Sequence, residues 1–238
     1  MNKYANETAS DVISTGSAEI DRRLGGGIPK SSLMLIEGDE GAGKSTVAQQ
    51  LIWGSLNDGL KTSIYTTEQN INSLLRQMAS LGQNVTDFFL MHELEVYPMV
   101  VSPDEEDAET LFEKLGNHMK HNMDSDIIVV DSLTTFVSQS GGDQIQDFFS
   151  NCKKLCENGK VVICTVHAKA FNEEFLLRIR SLCDAYVRLT VQSAGNKLIK
   201  AMEVAKIRGA EMNTGNITGF DVEPGIGIRI VPITRARA

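Results

Sequence analysis

Gly38-Asp39-Glu40-Gly41-Ala42-Gly43-Lys44-Ser45 lies between an apolar run, Leu33 to Glu37, and a segment of helical spacing, Ser45 to Asn57. Glycine at positions 38, 41 and 43 lets backbone N–H groups converge on an anion without side-chain obstruction. Lys44 adds a compact positive charge, and the helix that follows points the positive end of its dipole at the same place. Strand, glycine-rich loop and helix in that order make a phosphate-binding loop, in which the Ser45 hydroxyl ligates magnesium. Asp39, Glu40 and Ala42 belong to the loop backbone, and Thr46 completes the candidate phosphate-binding set.

The pattern continues outward. Thr62 to Thr67, Phe88 to His92, Ile127 to Asp131 and Val161 to Val166 are short runs of strand composition. Between them Ile71 to Leu81, Asp107 to His121 and Gln144 to Glu157 repeat their apolar residues at helical spacing. Alternation of this kind predicts a doubly wound α/β domain, with a mainly parallel sheet and helices on both faces. After Cys183 the texture changes to alternating segments, Ala185 to Val191, Lys197 to Lys206 and Ile226 to Val231, which read as antiparallel hairpins continuing the sheet. The acidic run Pro103 to Glu109 suits the start of a helix. A single domain over 1–238 is expected, with a flexible stretch allowed for over residues 1–10.

Composition narrows the function. A formal net charge of −8 argues against a surface built mainly for nucleic-acid phosphates. No apolar run is long enough to span a membrane and no signal-peptide pattern opens the chain, so a cytoplasmic protein without membrane insertion is expected. Cys152, Cys156, Cys164 and Cys183 lack the paired spacing of a zinc site and are expected to be buried thiols.

Asp131 ends the apolar strand Ile127 to Asp131, where a carboxylate can hold magnesium through its water shell beside the loop. Hydrolysis also needs a base or polarising carboxylate for the attacking water. Glu68, after the second strand, is the candidate, with a solvated loop glutamate as the alternative. His167 ends the Val161 run and is either a sensor of the γ-phosphate or a hydrogen-bonded structural histidine.

Three further stretches resemble the KaiC-like branch of the RecA superfamily: Ser14-Thr15-Gly16-Ser17 with Ile20-Asp21, Leu24-Gly25-Gly26-Gly27-Ile28-Pro29, and Lys206-Ile207-Arg208-Gly209. The likeness covers nearly the whole chain and implies a RecA-like core that binds ATP and Mg2+. It also implies that Lys206 and Arg208 reach the γ-phosphate held by a neighbouring subunit. Residues two apart on a strand share a face, which suits such a pair, and protection of an edge strand is the alternative role.

Within that branch the chain is similar to the cytosolic ATP-binding components of the archaellum, the archaeal flagellum. The features that carry this are the single domain, the ending Gly219-Phe220-Asp221-Val222-Glu223-Pro224-Gly225-Ile226-Gly227, and Thr66-Thr67 where KaiC carries the first of two adjacent glutamates. This resemblance implies a place beside the membrane-embedded motor and weak or absent hydrolysis. It further implies docking on the motor ATPase FlaI inside a membrane-anchored scaffold ring, and a nucleotide-dependent homo-oligomer, hexameric in the family. The competing expectations are an active KaiC-like ATPase in signalling and a DNA recombinase.

Overall fold

A computed structural model describes residues 11–99, 108–122, 124–194, 197–210, 212, 214–215 and 217–232. Residues 1–10 and most of the Pro103 to Glu109 run lie outside the described residues. In chain order the elements are β1 (Val12–Ile13), α1 (Ala18–Arg23), β2 (Ile28–Pro29), β3 (Leu33–Gly38), α2 (Lys44–Asn57), β4 (Thr62–Thr66), α3 (Ile71–Ser80), α4 (Thr86–Leu90) and β5 (Leu94–Pro98). There follow α5 (Ala108–His121), β6 (Ile127–Asp131), α6 (Thr134–Gln139), α7 (Gly142–Glu157), β7 (Val161–His167) and α8 (Glu173–Leu182). The chain then continues through β8 (Ala185–Ala194), β9 (Lys197–Ile207), β10 (Ile217–Glu223) and β11 (Gly227–Val231).

Nine strands form one sheet in the order β11-β10-β9-β8-β3-β7-β6-β4-β5. The six strands from β8 to β5 run parallel, and β9, β10 and β11 extend the sheet antiparallel. This is the RecA-like arrangement expected from the sequence. Successive side chains of a strand point to opposite faces, and β3 shows the consequence. Met34 and Ile36 enter a core with α2 and α3, while Leu33 and Leu35 enter a second core with α5, α6, α7 and α8. Crossovers on both faces leave the C-terminal ends of β3, β7, β6 and β4 side by side, with Gly38 opposite His167 and Thr66 opposite Asp131. Such sheets bind ligands at that end.

The Ser14-Thr15-Gly16-Ser17 segment has a packing explanation. The Asp21 carboxylate accepts from Ser14 Oγ, the Thr15 amide and Thr15 Oγ1, at 2.6, 2.8 and 2.6 Å. The turn so fixed lies against Gly54 of α2, where a Cβ would stand 2.2 Å from the Ser14 carbonyl oxygen. A glycine costs a helix interior about 1 kcal/mol relative to alanine, and here the backbone contact requires it.

One expectation needs correction. Phe88 to His92 is not a strand: Phe89 and Met91 donate to the carbonyls of Val85 and Asp87, four residues back, and the segment forms α4. Its unbroken apolar run packs Phe88 and Phe89 against the α2 core. The strand comes next, where Leu94 and Val96 alternate as buried residues with partly exposed Glu95 and Tyr97. β5 is an edge strand, so it tolerates Pro98. Lys206 pairs with Tyr186 of β8 and lies beyond the stretch of β9 that pairs with β10, which ends at Glu203.

Sequence periodicity also misses α6, α8 and β10. The four cysteines are buried free thiols in the second core, as expected. Burial pushes the Cys156 thiol up to about 12, which keeps it protonated and unreactive at neutral pH.

Candidate functional site

The loop between β3 and α2 turns on two glycines, Gly41 at φ +69° and Gly43 at φ +95°, a region that side chains disfavour. Gly43 is needed twice over, because a Cβ there would lie 3.2 Å from the Phe220 ring on β10. The Lys44 ammonium donates to the carbonyls of Gly38 and Asp39 at 3.1 and 2.9 Å. Burial lowers the Lys44 pKa, while Asp131, Glu68, Asp39 and Glu40 oppose that shift.

Asp131 is buried at the end of β6, and its Oδ1 accepts from Thr165 Oγ1 at 2.6 Å and from Ser45 Oγ at 3.1 Å. Burial pushes its carboxyl up, against the two hydroxyl donors. A divalent cation would favour the ionised form that burial disfavours. Hydroxyl and carboxylate oxygens at one corner of the loop are the hard donors magnesium takes, and the open N-terminus of α2 suits phosphate. The residues present therefore fit both groups.

These elements open onto a cavity of about 560 Å³ lined by Gly41, Gly43, Lys44, Ser45, Thr46, Asp131, Glu68 and His167, among others. Glu68 is exposed, and its Oε1 accepts from Ser132 Oγ at 3.0 Å. Thr67 points elsewhere: its hydroxyl lies 3.3 Å from both the amide nitrogen and the carbonyl oxygen of Ser132, bridging β4 to the end of β6. His167 Nδ1 accepts from the Lys169 amide at 3.1 Å. The neutral ring consequently carries its hydrogen on Nε2 and can act there as a donor.

Lys206 and Arg208 are at the other end of the sheet, away from this chain's own loop. Lys206 Nζ donates to the Arg180 and Cys183 carbonyls and so satisfies the C-terminal end of α8. Arg208 pairs with Asp184 at 3.3 Å, and Asp184 also accepts from the Leu33 amide and Lys153. Burial alone would raise the Asp184 pKa, yet those donors hold it below the usual carboxylate value.

Lys200, Thr134 and Thr135 also line the cavity, and sequence reasoning missed them. For Lys200 a signal existed: it occupies the same alternating face of β9 as buried Met202 and Val204, where a charge needs a reason. Its aliphatic stem passes Gly43, with Cδ 3.6 Å from the place of a Cβ.

Comparison with known proteins places this geometry among relatives. The family model "ATPase: KaiC" matches residues 13–235. The archaeal flagellar ATP-binding protein FlaH of Sulfolobus acidocaldarius is 32% identical over 230 residues, covering 95% of this chain and 100% of the relative. The crystal structure of flagellar accessory protein FlaH from Methanocaldococcus jannaschii superposes with a TM-score of 0.83 at 26% identity, covering 93% of this chain and 99% of that one. KaiC-like protein PH0186 from Pyrococcus horikoshii OT3, at 20% identity and a TM-score of 0.74, shares the fold, covering 93% and 99% of the two chains.

Proposed function

Because this chain belongs to the KaiC ATPase family, and within it to the archaeal flagellar ATP-binding proteins, we propose that it binds ATP with magnesium on the Lys44 loop as a component of the archaellum machinery. The observation that carries the reading is the Ser45–Asp131 contact of 3.1 Å directly beside the loop. Lys44, the α2 N-terminus and Lys200 supply positive charge for phosphate oxygens. Ser45 would hold the metal directly and Asp131 through its water shell. Bound magnesium would neutralise phosphate charge and fix the phosphates against the loop.

Asp131→Asn tests the metal role. Asparagine retains the Oδ1 acceptor for Ser45 and Thr165, so the fold should persist. ATP affinity should fall about tenfold or more with magnesium and by less than about threefold without it, as expected for loss of a group that orients the metal. Equal losses in the two titrations would contradict the assignment.

Hydrolysis is proposed to be slow. Of the two adjacent positions after β4, Thr67 is bound to the Ser132 backbone and only Glu68 offers a carboxylate to the cavity. Turnover is expected below about 1 s⁻¹, the low end of ordinary enzymes. Glu68→Gln should reduce it about 10²-fold with ATP affinity unchanged, the effect of removing a general base. Rapid steady-state turnover, or a Glu68→Gln rate equal to wild type, would refute this role. Nucleotide then serves chiefly as a signal: the γ-phosphate favours a homo-oligomer, hexameric by family analogy, and docking on the motor ATPase FlaI within the scaffold ring.

A further inference from the structure

Arg180, near the end of α8, makes contacts in two directions. Its Nη2 donates to Glu37 Oε2 at 2.8 Å, and its guanidinium lies 4.4 Å from the centroid of the Tyr186 ring. Its carbonyl accepts from Lys206 Nζ at 3.1 Å. Glu37 is buried, also accepts from the Tyr186 hydroxyl, and immediately precedes Gly38. The Gly38 carbonyl accepts from Lys44 Nζ and from the Ala168 amide, each at 3.1 Å.

We infer that Arg180 relays the state of the chain's own phosphate loop to Lys206 and Arg208, through the contiguous series Lys44, Gly38, Glu37, Arg180 and Lys206. This rests on nucleotide binding at the Lys44 loop. When Lys44 turns to a phosphate it leaves the Gly38 carbonyl to the Ala168 amide alone, and the strand end carrying Glu37 loses one of its restraints. The pair does not stretch cheaply, because Glu37 is buried and separation would leave its carboxylate with only the Tyr186 hydroxyl. Arg180 therefore follows Glu37. α8 rests on the second core through one face, Phe175, Leu176, Ile179 and Leu182, while Leu177 and the Glu174–Arg178 pair face solvent, so it can move with Arg180 as a unit. Both ends of the helix feel the motion: the chain leading into it starts at His167 in the cavity, and its last carbonyls hold Lys206. The basic pair that would serve a neighbour is thus positioned by the occupancy of its own subunit.

Backbone amide exchange on the full-length protein tests the relay, with ATP-Mg, ADP-Mg and no nucleotide. Protection of residues 38–50 reports binding itself. In the wild type, ATP is expected to change exchange over 173–182 and 203–210 by about fivefold or more, a change of local opening. Glu37→Gln keeps the size of the side chain but removes its charge. It should still show protection at 38–50 while the change at 173–182 falls below about twofold. Tyr186→Phe, which removes one donor to Glu37 and keeps the ring beneath Arg180, should at least halve the response and serves if the first variant does not fold. Protection at 38–50 with α8 indifferent to ATP, or a full α8 response in these variants, would overturn the relay. Absence of protection at 38–50 in the wild type would instead remove the nucleotide reading on which it rests.

Discussion

Lys44→Ala is expected to weaken ATP binding by at least about 100-fold, which corresponds to the roughly 2.8 kcal/mol of charge-assisted contacts one ammonium makes with phosphate oxygens. The fold should not suffer. The Lys44 ammonium donates to the carbonyls of Gly38 and Asp39, and the side chain belongs to neither apolar core. Its folded-state pKa is lowered, mainly by burial, so its charged form is disfavoured by folding. Between the lowered pKa and the unfolded value near 10.4, the unfolded chain binds the proton more strongly and stability rises with pH. Below the lowered pKa the penalty is fully present, and alanine removes it. The variant should therefore melt at the wild-type temperature or slightly above. Calorimetric titration with ATP-Mg checks the binding, and an affinity within about threefold of wild type would contradict the use of Lys44 on phosphate.

The centre of this protein was legible in its sequence because local chemistry specifies it. Gly41 and Gly43 adopt left-handed angles, Lys44 opens a helix, and Asp131 ends a strand, all as composition and order require. Elsewhere tertiary context decides. Phe88 to Leu90 is apolar enough for a strand, but it forms a short helix that packs Phe88 and Phe89 against the α2 core. α8 begins with an Asn172 cap accepting from the Phe175 amide, a short-range signal that two buried side chains made too weak to find by periodicity. Lys200 carried a local signal, a charge on the buried face of β9, but its place beside the loop follows from the hairpin that returns β9 along β8. Similarly, the chain alone offers Lys206 and Arg208 as free charges, whereas folding gives each of them acceptors within the subunit.

Those acceptors decide how the basic pair can serve a neighbour. Lys206 is committed to two carbonyls at the end of α8, and moving it would leave helix carbonyls without a donor. Arg208 is freer: its side chain is 57% exposed, and its contacts to Asp184 and the Ser181 carbonyl are 3.3 and 3.4 Å. Only the Arg208 end of the pair is exposed, and with Asp184 also held by Lys153 and the Leu33 amide the contact contributes about 1 kcal/mol, whereas a charge-assisted hydrogen bond contributes about 1.5–3 kcal/mol. On those magnitudes the guanidinium should leave Asp184 for a γ-phosphate presented by a second subunit. Arg208→Ala is accordingly expected to bind ATP within about threefold of wild type but to lose ATP-dependent assembly, since the contact that distinguishes ATP from ADP is gone. Its unfolding temperature should drop by no more than about 2–4 °C, because Lys153 and the Leu33 amide still hold Asp184. Lys44→Ala, by contrast, should lose both binding and assembly. Solution mass measured with ATP, ADP and no nucleotide separates the cases. If Arg208→Ala assembles as wild type does, the pair acts only within its own subunit, securing Asp184 and the end of α8.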